Sequence, residues 1–318
     1  MNLSHAYGLP PSTDDAIRLL QAALDQGVTL FDTAALYGFG ANESLVGPVL
    51  KSHRSRITLC SKGGMAGVTG DDGKPTRVID GRPEAIRRNC EDSLRRLGTD
   101  VIDLYYLHRW DKRVPIAESV GAMADLLRQG KVRALGLSEV SAATLRKAHA
   151  EHPISALQSE YSLWSRNPEI AVLNVCRELG VALVAFSPVA RGFLTGALRD
   201  VANLAPKDIR RGMPRFEATH YERNLKLLEG FEALADEVGC TPAQLALAWL
   251  LHQGELVIPI PGTTSLAHLE EDLAAATVVL SPAQVARLDA HFDPKAISGP
   301  RYSPATTAEV DSEAFDAA

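Results

Sequence analysis

The sequence predicts an α/β barrel, because three features recur together along its 318 residues. Short apolar segments typical of buried strands alternate with longer segments that have the period of an amphipathic helix. The chain returns from helix to strand through a glycine several times. Polar and charged residues follow the apolar segments at their carboxyl ends. Together these features indicate repeated β/α units joined by right-handed crossovers in a parallel sheet.

Seven segments have the apolar composition of strands that are buried on both faces, as a parallel sheet requires. They are TLFDTA (29–34), ITLCSK (57–62), VIDLYYLH (101–108), ALGLSE (134–139), ALQSEYS (156–162), ALVAFSP (182–188) and VIPIPG (257–262). No stretch rich in proline or serine divides the chain, so we predict a single domain over residues 1–318.

Helix and turn signals lie between these strands. A helix is predicted over residues 83–97, because Pro83 occupies the first turn and Gly98 follows the end. The same succession of helix end, glycine and strand recurs in LDQGVTLF, RRLGTDVIDL, LRQGKVRALG and RELGVALVAF. A glycine just past a helix can adopt a positive φ and turn the chain back. This pattern fits a closed barrel and an open doubly wound sheet equally.

The polar residues at the strand ends favour the barrel. In a barrel the carboxyl ends of all strands converge on one mouth, where such folds hold their active sites, whereas an open sheet spreads them along an edge. A single polar residue at a strand end is as readily a solvated or capping residue, but a series of them indicates a site. The series comprises Asp32, Lys62, His108, Ser138, Glu139, Gln158, Glu160, Ser187 and Thr263.

Lysine, aspartate and tyrosine in one apolar mouth would form a proton-transfer site. A free tyrosine has a pKa of about 10, which is too high for an efficient acid at neutral pH. We expect the Lys62 ammonium to lower the pKa of Tyr37 by two to three units, or about 3 to 4 kcal/mol, while Asp32 holds the ammonium. His108 could then orient and polarise a carbonyl through a ring N–H.

Composition and charge exclude several other classes of function. The net charge of −6 and the lack of a basic tract argue against nucleic acid as a partner. Four separated cysteines without a C-x-x-C motif indicate a reduced, cytoplasmic protein. The amino-terminal residues resemble no export signal, and no apolar run approaches the ~20 residues of a membrane span.

Two motif-like stretches are set aside. Residues 64–70 are rich in glycine but lack the other residues of a phosphate-binding loop, so we predict a flexible loop there. His149 and His152 form an H-x-x-H pair beside a proline with no third ligand nearby in sequence, so we assign no metal site.

Motifs along nearly the whole chain resemble the aldo-keto reductases. They include FDTAALYG, SLRRLGTDVIDLYYLHR, GKVRALGLSE, LQSEYSLWSR, AFSPVARGFLTG and PIPGTTSLAHLEEDL. The group that contains perakine reductase and the auxin-induced-protein-like reductases is the most similar. The resemblance implies a (β/α)8 TIM-type barrel, NADP(H)-dependent reduction of small-molecule aldehydes or ketones, and a catalytic tetrad. That tetrad falls on Asp32, Tyr37, Lys62 and His108.

The resemblance also assigns cofactor contacts. Three sets of residues are implied, for the carboxamide, the nicotinamide ring with the pyrophosphate, and the adenosine end. They are Ser138, Glu139 and Gln158; then Phe186, Ser187, Pro188, Val189, Arg191 and Gly192; and finally Gly262, Thr263, Ser265, His268, Glu271 and Asp272.

The adenosine end departs from the family pattern. Many relatives have Lys or Arg where this chain has Ser265 and His268, and Asn where it has Asp272. Fewer cations near the 2′-phosphate weaken the preference for NADP over NAD, so we expect NAD(H) to be a weaker alternative cofactor. Cations elsewhere are expected to compensate in part, namely Arg191, Arg210, Arg211 and Arg215.

Alternatives stay open both for the function and for the substrate site. A barrel of this family can also serve as a cofactor-binding regulatory module with little turnover, and a Schiff-base aldolase or isomerase using Lys62 is a third, disfavoured alternative. Trp110 and Trp164 either line the substrate pocket or belong to the core.

The first barrel strand is expected to be missing. Relatives have a strand of the type L-G-x-G-x-M that ends where Met1 begins here. A barrel without that strand leaves TLFDTA and VIPIPG with unpaired backbone groups. We expect an open seam between these two strands, either partly filled by residues 1–4 or closed by a segment upstream of Met1.

Overall fold

In the computed structural model, which describes residues 1–70, 73 and 75–315, seven strands pair in parallel to form a nearly closed barrel. The strands are β1 Leu30–Asp32, β2 Thr58–Gly63, β3 Met65–Thr69, β4 Pro75–Ile79, β5 Ile102–Leu107, β6 Val132–Ser138, β7 Ala156–Glu160, β8 Ala182–Phe186 and β9 Val257–Ile260. The barrel order is β1, β2, β5, β6, β7, β8, β9, and every neighbouring pair is parallel. The seven predicted strands are therefore confirmed.

The described residues contain eleven α-helices, most of them packed around the barrel. They are α1 Thr13–Asp25, α2 Ala41–Lys51, α3 Pro83–Leu97, α4 Ile116–Arg128, α5 Ala142–Glu151, α6 Val172–Leu179, α7 Ala218–Val238, α8 Pro242–Leu251, α9 Leu266–Ala274, α10 Pro282–His291 and α11 Pro304–Ala308. The predicted bounds of α3 are confirmed, and Gly98 ends it with a φ of 63°. None of these helices is both long and apolar enough to span a bilayer.

The loop predicted for residues 64–70 is wrong, because these residues begin a hairpin. β3 and β4 pair antiparallel in a register that joins Met65 to Ile79. The ring of Phe39 packs directly on this hairpin at Gly67, where a Cβ would lie 2.1 Å from the ring. The glycines thus allow an aromatic ring to pack closely on a strand instead of making the segment irregular.

Side chains from several strands fill the barrel interior. Cys60, Tyr106 and Val184 form one buried apolar cluster inside it. The ring of Tyr106 lies against Gly136 on the neighbouring strand, where a Cβ would approach it to 2.4 Å. A small residue on β6 therefore makes room for a large one on β5, as close packing requires.

The seam between β1 and β9 is open, as the sequence predicts. No ladder joins these two strands among the described residues, and Asn2 Nδ2 donates to the Gly262 carbonyl across the gap at 3.0 Å. On the outside, Leu19 of α1 packs with Leu269 of α9, and Leu3 packs against this cluster. The seam is therefore covered by side chains and helices where strand pairing is absent.

The segment that follows α10 folds back over the carboxyl ends of β6 and β7. Arg301 pairs with Glu139 at 2.7 Å, and Tyr302 donates to Glu160 at 3.0 Å. The Asp311 carboxylate accepts from the backbone N–H of Ser141 at 3.1 Å. Residues 297–315, the C-terminal segment, thus belong to the barrel mouth.

We predict that Gly47→Ala lowers the free energy of unfolding by about 1 to 3 kcal/mol, as overpacking does. A Cβ at Gly47 on α2 would lie 2.5 Å from the carbonyl oxygen of Leu97, which is backbone of α3 and cannot rotate away. Urea denaturation would measure the change.

Gly121→Ala is the matched control, because a Cβ there meets only a Glu151 side-chain oxygen at 3.8 Å. This substitution within α4 should stabilise the protein by about 0.5 to 1 kcal/mol. Equal effects of the two substitutions would show that the contact between α2 and α3 is not as close as described.

Candidate active site

The four residues of the predicted tetrad come together at the carboxyl ends of three neighbouring strands. Asp32 ends β1, Lys62 lies near the end of β2, and His108 follows β5. Tyr37 begins a short 3-10 turn after β1. The turn is held above the neighbouring strand because Ala35 N donates to the Lys62 carbonyl at 3.1 Å. Strand order alone therefore brings residues from distant parts of the chain to one point.

The Lys62 ammonium is the centre of this cluster, and its side chain is fully buried. Its Nζ forms an ion pair with Asp32, donates to the Thr33 carbonyl at 2.9 Å and lies 3.4 Å from the Tyr37 hydroxyl. Burial alone would lower the pKa of Lys62, but Asp32 and Tyr37 reverse this and the net pKa is raised. The lysine is therefore a fixed cation, unsuited to act as a neutral amine nucleophile.

The prediction that the pKa of Tyr37 is lowered overall is wrong for this arrangement, although Lys62 does act to lower it. Burial raises the pKa of the Tyr37 hydroxyl; Asp32 adds to the rise, and the opposing charges of Lys62 and Arg109 do not cancel it. The physical reason is that burial disfavours the charged phenolate more strongly than the neighbouring cations favour it. Tyr37 is therefore a neutral phenol at physiological pH.

His108 lies edge-on to Tyr37, with ring centroids 5.8 Å apart. Burial lowers the pKa of His108 well below its usual value, and the cations Arg109 and Lys62 lower it further. Its buried Nδ1 has no hydrogen-bond partner in the described part of the chain. A neutral imidazole beside the phenol can donate one N–H to a bound oxygen without carrying charge.

The residues predicted to hold a carboxamide are only partly free to do so. Ser138 and Gln158 are direct neighbours in the register of β6 and β7, and Gln158 Nε2 donates to Asp32 at 2.9 Å. Glu139 is buried, and its carboxylate accepts from Arg301 at 2.7 Å and from Glu160 N at 2.9 Å. Ser138 and Gln158 thus face the tetrad, while Glu139 is engaged by the C-terminal segment.

The loop after β8 contains the residues predicted for the ring and the pyrophosphate, Phe186, Ser187, Pro188, Val189, Arg191 and Gly192. Ser187 has a φ of 52°, Arg191 of 57° and Gly192 of 92°. Left-handed residues turn the backbone sharply, and successive N–H groups in such turns form concave anion sites. The Arg191 guanidinium is buried and pairs with Glu160 at 2.9 Å, so its charge is already compensated.

The other basic residues expected to compensate at the adenosine end are also engaged. Arg210 pairs with Asp208 at 2.7 Å, and Arg211 Nη1 donates to the Leu204 carbonyl at 2.8 Å. Arg215 Nη1 donates to Ser165 Oγ at 3.0 Å. In the described structure these arginines hold loops together, and their contacts give no support to a role at a phosphate.

The predicted adenosine residues lie in the loop after β9 and along α9. They are Gly262, Thr263, Ser265, His268, Glu271 and Asp272. Ser265 is the N-cap and accepts from the backbone N–H of His268. Burial raises the pKa of Asp272 from 3.8 to about 6, Glu271 adds to the rise, and His268 opposes it. The carboxyl group of Asp272 thus keeps its proton to a higher pH than an ordinary aspartate.

The two tryptophans differ in their surroundings. Trp164 is 3% exposed and stacks on Phe193 with ring centroids 4.1 Å apart, so its packing favours the core alternative. Trp110 is half-buried and donates through Nε1 to the Val114 carbonyl at 2.9 Å. Trp110 remains the better candidate for the substrate pocket.

Sequence analysis missed three side chains at the barrel mouth. Arg109 donates to Ser138 Oγ at 3.1 Å, His5 lies 5.8 Å from Tyr37 between ring centroids, and Arg301 holds Glu139. Arg109 could have been found, because it directly follows a predicted strand-end residue. No pattern in the sequence indicates that residue 301 returns to the mouth.

Comparisons with known proteins agree with this fold. A family model described as "Aldo/keto reductase family" matches residues 1–293. A probable aldo-keto reductase 1 from Glycine max is 43% identical over 303 residues, which cover 95% of this chain and 86% of the relative.

Two solved structures have a similar fold. A glycerol dehydrogenase from Gluconobacter oxydans has a TM-score of 0.80 at 29% identity, covering 94% of this chain and 91% of that one. An aldo-keto reductase from Klebsiella pneumoniae, in complex with NADPH, has a TM-score of 0.67 at 30% identity, covering 89% and 86%.

We predict that Asp272→Asn stabilises the fold at pH 8 and that the gain disappears as the pH falls. The folded pKa of Asp272 is raised to about 6 from 3.8, so the fold prefers the neutral form. Ionisation of Asp272 therefore lowers the free energy of unfolding, and this loss is complete above about pH 6. It disappears as the pH falls through about 6 towards 4, because the carboxyl group then becomes neutral in both states. Melting temperatures of both proteins across this range would test it.

Glu270→Gln on the same helix is the matched control, because Glu270 is exposed. The melting temperature of Glu270→Gln should differ little from that of the wild type at every pH. A gain for Asp272→Asn that persists at pH 4 would contradict the titration of Asp272 as its cause.

Proposed function

The chain belongs to the aldo/keto reductase family, a family of oxidoreductases, and from this membership we propose that it reduces aldehyde and ketone carbonyls to alcohols with NADP(H). In this proposal Tyr37 is the general acid. The observation that carries it is the position of the Lys62 ammonium, held by Asp32 and by the Thr33 carbonyl, 3.4 Å from the Tyr37 hydroxyl.

A neutral Tyr37 suits the reductive direction. Because burial raises its pKa, the phenol keeps its proton until a stronger base forms beside it. NADPH, when bound, would supply a hydride to the carbonyl carbon. The carbonyl oxygen then gains basicity and takes the proton from the Tyr37 hydroxyl. The phenolate left behind faces the Lys62 ammonium, which stabilises the developing charge in a buried site.

His108 would fix the direction of the carbonyl. Its pKa lies well below the usual value, so the ring is neutral and donates a hydrogen bond without competing with Tyr37 for the proton-donor role. A carbonyl oxygen placed between the phenol and the imidazole would accept from both. This arrangement holds the oxygen at the acid and the carbon open to hydride.

The residues at the mouth fit a dinucleotide. Ser138 and Gln158 lie side by side at the ends of β6 and β7. The left-handed turn at Arg191 and Gly192 follows β8, and the amino terminus of α9 follows β9. Phosphate sites of barrels are commonly built from the loops after the last two strands and a helix amino terminus.

We predict that Tyr37→Phe lowers carbonyl reduction by at least ~10²-fold, as the loss of a general acid does. The nicotinamide cofactor should still bind, because the hydroxyl is needed only for the proton. Loss of NADPH absorbance with 4-nitrobenzaldehyde measures turnover, and quenching of protein fluorescence measures binding.

Tyr221→Phe is the matched control, since its hydroxyl donates to the Leu198 carbonyl from α7. It should keep turnover near that of the wild type. A Tyr37→Phe variant as active as the wild type would refute the role of Tyr37, while cofactor binding without turnover by the wild type would favour the regulatory alternative.

We predict that the KM for NADPH rises relative to that for NADH as the pH increases through about 6. In our proposal the 2′-phosphate lies near Asp272, whose pKa of about 6 makes it increasingly anionic over this range. Like charges repel, and NADH has no 2′-phosphate.

Asp272→Asn should remove the part of this pH dependence that belongs to the carboxylate. Titration of the phosphate itself is common to both proteins and cancels in the comparison. Initial rates with both cofactors from pH 5 to 8 provide the measurement, and parallel profiles for wild type and variant would place the 2′-phosphate elsewhere.

A further inference from the structure

Arg109 is a cation at the mouth whose guanidinium is held through one nitrogen, while its other two nitrogens have no hydrogen-bond partner in the described part of the chain. Its Nη1 donates to the His108 carbonyl at 2.7 Å and to Ser138 Oγ at 3.1 Å. Its Nε and Nη2 make no hydrogen bond within the described part of the chain, and neither atom is completely enclosed. The guanidinium is therefore fixed in direction but not saturated.

The neighbouring charges at the mouth are paired, and that of Arg109 is not. Lys62 is paired with Asp32, Arg191 with Glu160, and Arg301 with Glu139. Among residues 1–70, 73 and 75–315, no carboxylate oxygen lies within 4.0 Å of the Arg109 guanidinium. The mouth thus has a positive charge that the described protein does not neutralise.

This charge acts on the reacting groups. Arg109 is among the causes that lower the pKa of His108, and it opposes the rise in the pKa of Tyr37. A guanidinium that influences both groups lies close to where a bound carbonyl would sit. An anion on the same small molecule can therefore reach it.

Guanidinium chemistry indicates what the free edge would bind. Arginine presents parallel N–H donors in a plane, which matches the two oxygens of a carboxylate. A half-buried cation that lacks a protein partner gains most from a partner brought by a ligand, because burial weakens its hydration. A neutral substrate would leave this edge facing solvent.

We propose that Arg109 binds a carboxylate on the substrate, so that the enzyme prefers aldehydes and ketones that carry a carboxylate a short distance from the carbonyl. This proposal rests on the proposed function, since it requires carbonyl reduction at the tetrad. It assigns Arg109 a specificity-determining role, separate from the proton transfer of Tyr37.

The test compares two aldehydes of nearly the same shape, 4-carboxybenzaldehyde and 4-nitrobenzaldehyde, at pH 7 and saturating NADPH. The readout is the ratio of their kcat/KM values. The wild type should favour the carboxylate by at least ~10-fold, as a charge-assisted bidentate contact allows. Arg109→Gln should lose that preference, and Arg109→Lys should retain part of it because it keeps the charge.

Arg133→Gln is the control for net charge. Arg133 is the second residue of β6, at the end of the strand opposite Ser138, and its side chain is 65% exposed. It should leave the substrate ratio unchanged. A loss of preference in both variants would show a long-range field and overturn the contact.

The remaining outcomes separate this proposal from the proposed function. Turnover of both aldehydes without a preference by the wild type overturns the role of Arg109 alone. Equal loss for both aldehydes in Arg109→Gln, with a raised KM for NADPH, shows that the guanidinium serves the cofactor and also overturns it. No reduction of either aldehyde by the wild type refutes the proposed function itself.

Discussion

The buried ion pair between Lys62 and Asp32 is the interaction on which the rest of the site depends. A fully buried ammonium is stable only with a close counter-ion and satisfied hydrogen bonds. Asp32 and the Thr33 carbonyl supply both, and they also fix the direction in which Nζ points. Gln158 in turn holds the second oxygen of Asp32. The position of the charge beside Tyr37 is therefore set by three strands, and a shift of any of them would disturb it.

The same pair limits how far the Lys62 ammonium can lower the pKa of Tyr37. A bare ammonium beside a phenol favours phenolate, but an ammonium compensated by a carboxylate acts almost as a dipole. Burial then dominates, and the pKa of Tyr37 rises. In the proposed mechanism a neutral Tyr37 is therefore ready to donate a proton, and the Lys62 ammonium stabilises the phenolate that would be left behind.

A second set of buried ion pairs joins the barrel to its loops. Glu160 lies at the end of β7, where burial alone would raise its pKa, yet Arg191 and neighbouring arginines lower it to about 2. Arg191 and Tyr302 both contact this carboxylate, so the loop after β8 and the C-terminal segment are fixed to one point. Removing one partner from such a buried pair is costly, which makes the geometry of the mouth specific.

The sequence by itself determined the seven barrel strands, the limits of α3 and the open seam, because each depends on local composition, spacing or family motifs. The same motifs predicted a tetrad whose four residues the fold brings together. Tertiary structure alone decided which charges remain free. From the sequence, Arg191 and Arg215 were expected to be available to a phosphate, yet both contact groups that are distant in sequence. Arg109, in contrast, has guanidinium nitrogens without a hydrogen-bond partner in the described structure. The pKa of Tyr37 and the hairpin that pairs Met65 with Ile79 were likewise decided only by the tertiary structure. Burial and pairing are sums over neighbours that the fold brings together, and no local pattern contains them.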